Sequence, residues 1–313
     1  MVKSPLTVSI VIPVYGVEKY IAEFADSAFT QTYPHIQYVF VNDGTKDRSI
    51  EVLEDIIDNK YPSVKDRVVI VNKQNGGLPS ARKAGMEHVT GDYVWHVDPD
   101  DWIDKDAVEC IVDKIEETGA DVVYFNLVKE YSNRSKVKRD KPHGCHDQRQ
   151  YVHDMFNHRS FGSVCNKCIK KSLYDNPMII FAEYSYAEDT FLTSQLVGSS
   201  SCIAFLDKPL YHYRKTNPNS ITRQNLTKRH REYALNFMRL YQHYQNVPVE
   251  QNPIASIKDD ILMRLGWYSV FYRLDLYTIF PSLSALIRDV KMSFKMETNI
   301  LIQAFVKIYS RFK

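Results

Sequence analysis

The chain has 313 residues, 40 Lys and Arg against 38 Asp and Glu, and a formal net charge of +2. That balance excludes a global electrostatic case for nucleic-acid binding and leaves any basic surface local. The length exceeds that of a usual compact domain, so one large domain with an appendage, or two domains, are expected.

No run approaches the roughly 20 apolar residues of a membrane span, and the N-terminus lacks the basic start and apolar run of a signal peptide, so a cytoplasmic protein is expected. The five cysteines, Cys110, Cys145, Cys165, Cys168 and Cys202, are odd in number and irregularly placed. They predict free thiols in a reducing compartment. Cys165 and Cys168 form one CxxC, with His143, Cys145 and His146 about 20 residues before it. A structural zinc site usually shows two tighter ligand pairs, so thiols are the preferred reading.

Residues 8–15, Val-Ser-Ile-Val-Ile-Pro-Val-Tyr, are β-branched and almost continuously apolar, as in a strand covered on both faces. Ile21, Phe24, Ala25, Ala28 and Phe29 then mark one helical face. A strand over 38–41 ends in Asn42-Asp43-Gly44-Thr45, a helix follows over 48–58, and a strand over 68–71. Asn75-Gly76-Gly77 breaks the chain before a short helix over 79–88 and a strand over 93–97. Val108, Ile111, Val112 and Ile115 predict another helix, and 121–127 another strand. Strands alternating with helices imply an α/β fold with a doubly wound, mostly parallel sheet through about residue 128.

Residues 129–150 change character: Arg134, Lys136, Lys138, Arg139 and Lys141 cluster among few apolar residues, which predicts a loop or hairpin insertion that is either a solvated surface run or a means of attracting an anionic acceptor. A short helix through Phe156, a helix led by Glu188 and Asp189, and a strand over 202–214 follow. Acidic residues at a helix start suit the helix dipole and can cap free amides. Beyond about residue 226 the pattern is helical, over 229–244, 254–274, 283–294 and 299–312. From Lys228 onward 13 basic residues face 7 acidic ones, a local balance of 13 − 7 = +6. The apolar stripe and basic residues of the last helix suit either packing, on the catalytic domain or a second copy, or lying on an anionic membrane surface.

The chemistry concentrates at Asp98, Asp100 and Asp101, which follow an apolar strand. Ligands of α/β sheets bind beyond the carboxyl ends of strands, and clustered carboxylates repel one another unless a cation joins them. The chain lacks the glycine-rich loops of dinucleotide-binding and P-loop proteins. Mg²⁺ is often held by one or two carboxylates plus phosphate oxygens, so a divalent cation and a nucleoside diphosphate are the expected ligands.

Four segments, in order and spacing, resemble a family 2 glycosyltransferase of the GT-A fold, the kind that builds bacterial surface glycans. They are Ser9 through Tyr15; Val41-Asn42-Asp43-Gly44-Thr45 with Asp47; Asn75-Gly76-Gly77-Leu78 with Ala81-Arg82; and Val97-Asp98-Pro99-Asp100-Asp101. Asn166-Lys167, Glu188-Asp189 and Pro209 through Arg214, followed by Ser220-Ile221-Thr222, extend the likeness to residues 7–222. The resemblance implies a Rossmann-like αβα sandwich divided into a nucleotide-sugar half (1–128), an acceptor and catalytic-base half (129–226) and a helical region (227–313).

It further implies that Pro13, Val14 and Tyr15 line the base pocket, with Tyr15 stacking, and that Asp43 accepts a hydrogen bond from the base. An imide N–H suits an ionised carboxylate, which favours uracil or thymine over other bases and makes a UDP-linked donor the first expectation. Asp100, with Asp98, would hold Mn²⁺ or Mg²⁺; Asp98 would also contact the ribose, and Arg82 would reach the nucleotide. Asp189 would be the general base, with Glu188, Asp101, Tyr213 and Arg214 in support. One base and no second nucleophile imply inversion, from a nucleotide-sugar donor to a glycan or lipid-linked acceptor in surface-polysaccharide synthesis. Gly16, Asn42, Lys83 and Cys165 depart from the family's usual residues and bear on the shape of the donor pocket. The rival readings are a catalytically silent scaffold in a glycan-synthesis complex and a sugar nucleotidyltransferase. The C-terminal helices would supply peripheral contact with the inner membrane face or a homodimer interface.

Overall fold

A computed structural model describes residues 4–218, 220–223 and 225–271. The first half alternates as the periodicity predicts: β1 (Val8–Val14), α1 (Ile21–Phe29), β2 (Ile36–Asn42), α2 (Ser49–Asn59), β3 (Val68–Asn72), α3 (Leu78–Met86) and β4 (Tyr93–His96). Next come β5 (Trp102–Ile103), α4 (Ala107–Thr118), β6 (Val122–Glu130) and β7 (Ser135–Lys138). The second half adds α5 (Gln148–Phe156), β8 (Lys167–Lys170), α6 (Lys171–Tyr174), α7 (Glu188–Ser199), β9 (Ile203–Arg214), α8 (Leu226–Tyr244) and α9 (Lys258–Phe271). The helices expected over 283–294 and 299–312 lie outside the described residues.

The strands form one mixed sheet in the order β3-β2-β1-β4-β8-β6-β9-β5, with β7 on the side of β6. β1 to β4 pair parallel, β8 runs antiparallel to β4 and β6, and β6 pairs parallel with β9. Two reversals around β8 restore the direction, so β1, β2, β4, β6 and β9 all end on one edge. β7 confirms the hairpin expected after β6, pairing antiparallel with it.

Alternating side chains of β1 explain its unbroken apolar run. Val8, Ile10, Ile12 and Val14 join a core with α1, α2 and α4, whereas Val11 packs with Val39, Val41 and Ala81 under α3. A second core gathers Val122 and Tyr124 with α5, α7, α8 and α9, where Ile257, Ile261 and Leu265 are fully buried. α8 and α9 therefore share a core with the second half. Among the described residues no helix is long and apolar enough to cross a membrane.

The expectation for the cysteines needs correction. Cys145 and Cys202, 57 residues apart, form a disulfide that ties the loop before α5 to the start of β9, where the Ile203 amide also donates to the Cys145 carbonyl at 2.9 Å. Cys110, Cys165 and Cys168 are free, the last two buried, and among the described residues no three His, Cys, Asp or Glu converge to hold a metal. Sequence could not pair these cysteines, because only the sheet brings them together. Closing a loop of this length is worth about 4 kcal/mol in the chain-entropy description, with measured values typically about 2–4 kcal/mol. Cys202→Ser should lower the unfolding free energy by that amount in urea titrations without reductant and by nothing with dithiothreitol present; equal losses in both would contradict this.

Candidate active site

Each element of the donor side is placed by the shared strand edge. Pro13 and Val14 close β1 and are buried, and Tyr15 follows with 52% of its surface exposed. Asp43 follows β2 and is 3% exposed. Gly44 turns the chain with φ +66°, where a side chain would also lie 2.9 Å from the Asn75 amide. Asp43 accepts from the amides of Gly76 at 2.9 Å and Gly77 at 2.8 Å and from the Lys73 ammonium. It thereby fastens the Asn75-Gly76-Gly77 turn to the end of β2. A carboxylate offers about four acceptor positions, so one remains.

The carboxylate loop leaves β4 through Val97 and folds tightly, the Asp101 amide donating to the Asp98 carbonyl at 3.1 Å. Asp101, 1% exposed, accepts from the Tyr211 hydroxyl at 2.5 Å and the Arg214 amide at 2.7 Å. Burial and the neighbouring Asp100 and Asp98 charges push its carboxyl well above the usual range. It anchors the loop to β9. Asp100 accepts from the Asn217 side-chain amide at 2.7 Å, and its carbonyl accepts from Arg214 Nε at 2.7 Å. Arg214 also reaches Glu23 at 2.6 Å and lies over Trp102 and Tyr20, so it braces the loop from behind. Tyr213 holds the Lys215 ammonium 4.6 Å from its ring centroid.

Arg82 joins the two halves. α3 sits hard on the sheet because Gly85 has no side chain: a Cβ there would lie 2.5 Å from Val11 Cγ1. One turn earlier, Arg82 is 1% exposed and donates to Asp98 at 2.9 Å and to both Glu188 and Asp189. Ala187 takes a left-handed φ of 61°, roughly 1 kcal/mol of strain, as the chain turns into α7. No side chain caps this helix; its two acidic residues turn to Arg82 instead.

Three carboxyls around one guanidinium cannot all ionise cheaply. Burial, with the Asp189 and Asp98 charges, pushes Glu188 well above the usual range despite Arg82. Burial resists ionisation of Asp189 too, but Arg82 and a hydrogen bond with Glu188 hold it below the ordinary carboxylate value. Asp98 is pushed up to about 6 by burial, Arg82 opposing and Asp189 and Asp100 adding to the rise. Asp189 keeps 29% of its side-chain surface exposed and Glu188 only 6%. Asp189 is thus the more acidic and the more exposed of the pair, with Glu188 the weaker acid behind it.

The donor set suits a hard divalent cation. One oxygen each of Asp98 and Asp100 has no donor among the described residues, and both side chains are partly exposed at the cleft. Two carboxylates plus phosphate oxygens match the usual coordination of Mg²⁺.

Lys73, Tyr211, Asn217 and Lys167 had no role in the sequence reading. Lys167 is fully buried and donates to the carbonyls of Phe161 at 2.8 Å and Ser163 at 2.7 Å, with its amine pushed down to about 8 by burial. This fixes the turn in which Gly162 packs against Thr190, next to Asp189. Tyr211 was detectable, two residues before Tyr213 on an alternating strand; Asn217 carried no local signal.

Arg82→Ala should cost about 3–5 kcal/mol at pH 7.5, because it strands buried carboxylates. Without the guanidinium the folded-state pKa values of Glu188 and Asp98 rise further above the unfolded ones and that of Asp189 rises from its depressed value, so the missing stability returns as pH falls through them. Urea titrations at pH 7.5 and 4.5 should show a smaller loss at the lower pH; equal losses would contradict this.

Comparison with known proteins places the chain in a family. The model of the family described as Glycosyl transferase family 2 matches residues 9–178. An uncharacterised glycosyltransferase EpsJ of Bacillus subtilis is 32% identical over 225 residues, 69% of this chain and 62% of the relative. Glycosyltransferase GlyA of Streptococcus pneumoniae is 30% identical over 229 residues, 66% of this chain and 30% of the relative. The chain thus spans less than two thirds of the length of these relatives. Residues 1–349 of Staphylococcus aureus TarS, crystallised with UDP-GlcNAc, share the fold with a TM-score of 0.66 at 20% identity, covering 90% of this chain and 79% of that one. A mannosyltransferase of Pyrobaculum calidifontis, solved with GDP-Man and Mn²⁺, gives 0.54 at 14% identity over 98% of this chain and 81% of its own. From the profile match and the similarity to EpsJ, the chain belongs to glycosyl transferase family 2.

Proposed function

We propose that the protein is a metal-dependent, inverting glycosyltransferase that moves a sugar from a nucleotide sugar, UDP-linked, to a glycan or lipid-linked acceptor in surface-polysaccharide synthesis. The observation that carries this reading is Arg82, which holds the donor-side carboxylate Asp98 and the base Asp189 on one guanidinium. The two halves of a transfer reaction thereby face one cleft. The TarS complex with UDP-GlcNAc and the mannosyltransferase complex with GDP-Man and Mn²⁺ support the donor class and the metal.

In this reading the exposed ring of Tyr15 stacks on the base, and Asp43 offers its remaining acceptor position to the imide N–H, from a pocket walled by Pro13 and Val14. Asp100 and Asp98 hold Mn²⁺ or Mg²⁺, which when bound offsets the charge gathering on the departing diphosphate. Asp189 accepts the proton of the acceptor hydroxyl as its oxygen bonds to the anomeric carbon and the bond to the nucleoside diphosphate breaks. Glu188 keeps its own proton and points its hydrogen bond at Asp189. Attack from the face opposite the leaving group inverts the anomeric centre. In this reading the protein works in the cytoplasm, and the C-terminal helical region serves as a peripheral contact with the inner membrane face or as a homodimer interface.

A panel of nucleotide sugars with Mn²⁺ tests the reading by donor hydrolysis, and UDP-sugars should be the ones consumed. Asp189→Asn should retain donor affinity and lose about 10² to 10⁴ in transfer rate. An unchanged rate would remove Asp189 from the role of base, and anomeric coupling that shows retention in the product would remove inversion.

A further inference from the structure

The basic run after β6 reads in sequence as a solvated surface or a lure for an anionic acceptor, and the structure sorts its residues. Lys141 pairs with buried Asp154, and Arg134 lies over Tyr131. Lys136 and Lys138 instead share one face of the β6–β7 ladder. Lys129 stands directly opposite Lys136, and Lys138 opposite Leu127, one pleat along. On the other side of β6, Lys129 pairs with Tyr213 of β9, over whose ring Lys215 folds. Residues opposed across a ladder point to the same face, so four ammonium groups converge there.

Like charges directly opposed across strands destabilise a sheet. The nearby acid does not relieve them: Glu130 points to the opposite face, where it meets Ser135 and His212. None of the four lysines has an ion-pair partner among the described residues. Lys129 is half-buried, and burial together with the charges of Lys215, Lys138 and Lys136 pushes its amine down. The face shares β9 with the anchor of the carboxylate loop: Tyr211, two residues before Tyr213, donates to Asp101, and Arg214, next to Lys215, donates to Asp101 and to the Asp100 carbonyl. Arg223 donates to the Lys215 carbonyl at 2.8 Å and adds a further positive charge.

We propose that Lys129, Lys136, Lys138 and Lys215 form an anion subsite beside the catalytic cleft that receives phosphate groups of the acceptor. This rests on the transferase reading. Lysines act as point charges that several oxygens of one phosphate can share, and β6 and β9 end on the same edge as the strand that delivers Asp98. An acceptor bearing phosphates along its backbone or at its lipid-linked end would thus be drawn to the cleft and held in register.

The test is fluorescence anisotropy of a labelled short inorganic polyphosphate, in EDTA so that no divalent cation contributes. Lys129→Gln combined with Lys136→Gln, and separately Lys138→Gln combined with Lys215→Gln, should each weaken binding roughly tenfold or more. A charge-matched control at exposed sites just after α2, Lys60→Gln with Lys65→Gln, should stay within about twofold of wild type. Thermal midpoints of the lysine-face variants should equal or exceed that of wild type, since repulsion is removed. Cosedimentation with phosphatidylcholine–phosphatidylglycerol vesicles separates the source. Weaker polyphosphate binding alone supports a phosphate of the acceptor chain, and weakening in both assays supports one at a lipid-linked end. Loss of vesicle binding alone, or equal weakening in the control, overturns the subsite. Wild-type donor hydrolysis is followed in parallel: its absence faults the transferase reading, while unchanged polyphosphate affinity with hydrolysis intact overturns the lysine subsite alone.

Discussion

The structure turns on a buried guanidinium. Arg82 is all but removed from water and meets Asp98, Glu188 and Asp189, groups that lie 16, 106 and 107 residues away in sequence. Desolvating a carboxylate costs several kcal/mol, and only a well-placed opposite charge offsets it. One cation shared among three acids leaves the balance incomplete, which sorts them by protonation. Asp189 is held below the ordinary carboxylate value, Glu188 is pushed well above it, and Asp98 is pushed up to about 6. Mutual repulsion at a catalytic cleft is what a cation-binding, proton-abstracting site would retain at the expense of stability.

The fold supplies this contact by bringing strand ends to one edge. Parallel pairing of β1, β2 and β4 delivers Tyr15, Asp43 and Asp98, and the double reversal through β8 lets β6 and β9 arrive on the same side. α3 is pressed to the sheet at Gly85, and the left-handed Ala187 turns α7 so that its first two residues meet Arg82. Local choices far apart in the chain thus converge on one geometry.

Much of this is legible in the amino-acid sequence. The β-branched run of β1, the helical faces of α1, α2 and α4, and the Asp-x-Asp after β4 are local patterns, and the fold follows them. The three carboxylates read as one cluster in sequence, yet the structure divides them. Asp98 faces Arg82, Asp100 faces Asn217, and Asp101 turns away to Tyr211 and the β9 backbone. What sequence could not show depends on tertiary partners. β5 is two residues long, and β8 begins with a lysine whose burial makes sense only with the Phe161 and Ser163 carbonyls around its amine. The Cys145–Cys202 bond and the lysine face of β6, β7 and β9 likewise arise from pairing across the sheet.

The central claim is that Asp98 and Asp100 present a nucleoside diphosphate with a divalent cation in the cleft that Asp189 serves. Calorimetric titration of UDP in the presence and absence of Mn²⁺ tests it most directly. Wild type should bind UDP with Mn²⁺ and weakly or not at all without it, and Asp100→Ala should lose the metal-dependent part. Metal-independent binding in wild type, or undiminished binding by Asp100→Ala, would contradict the account.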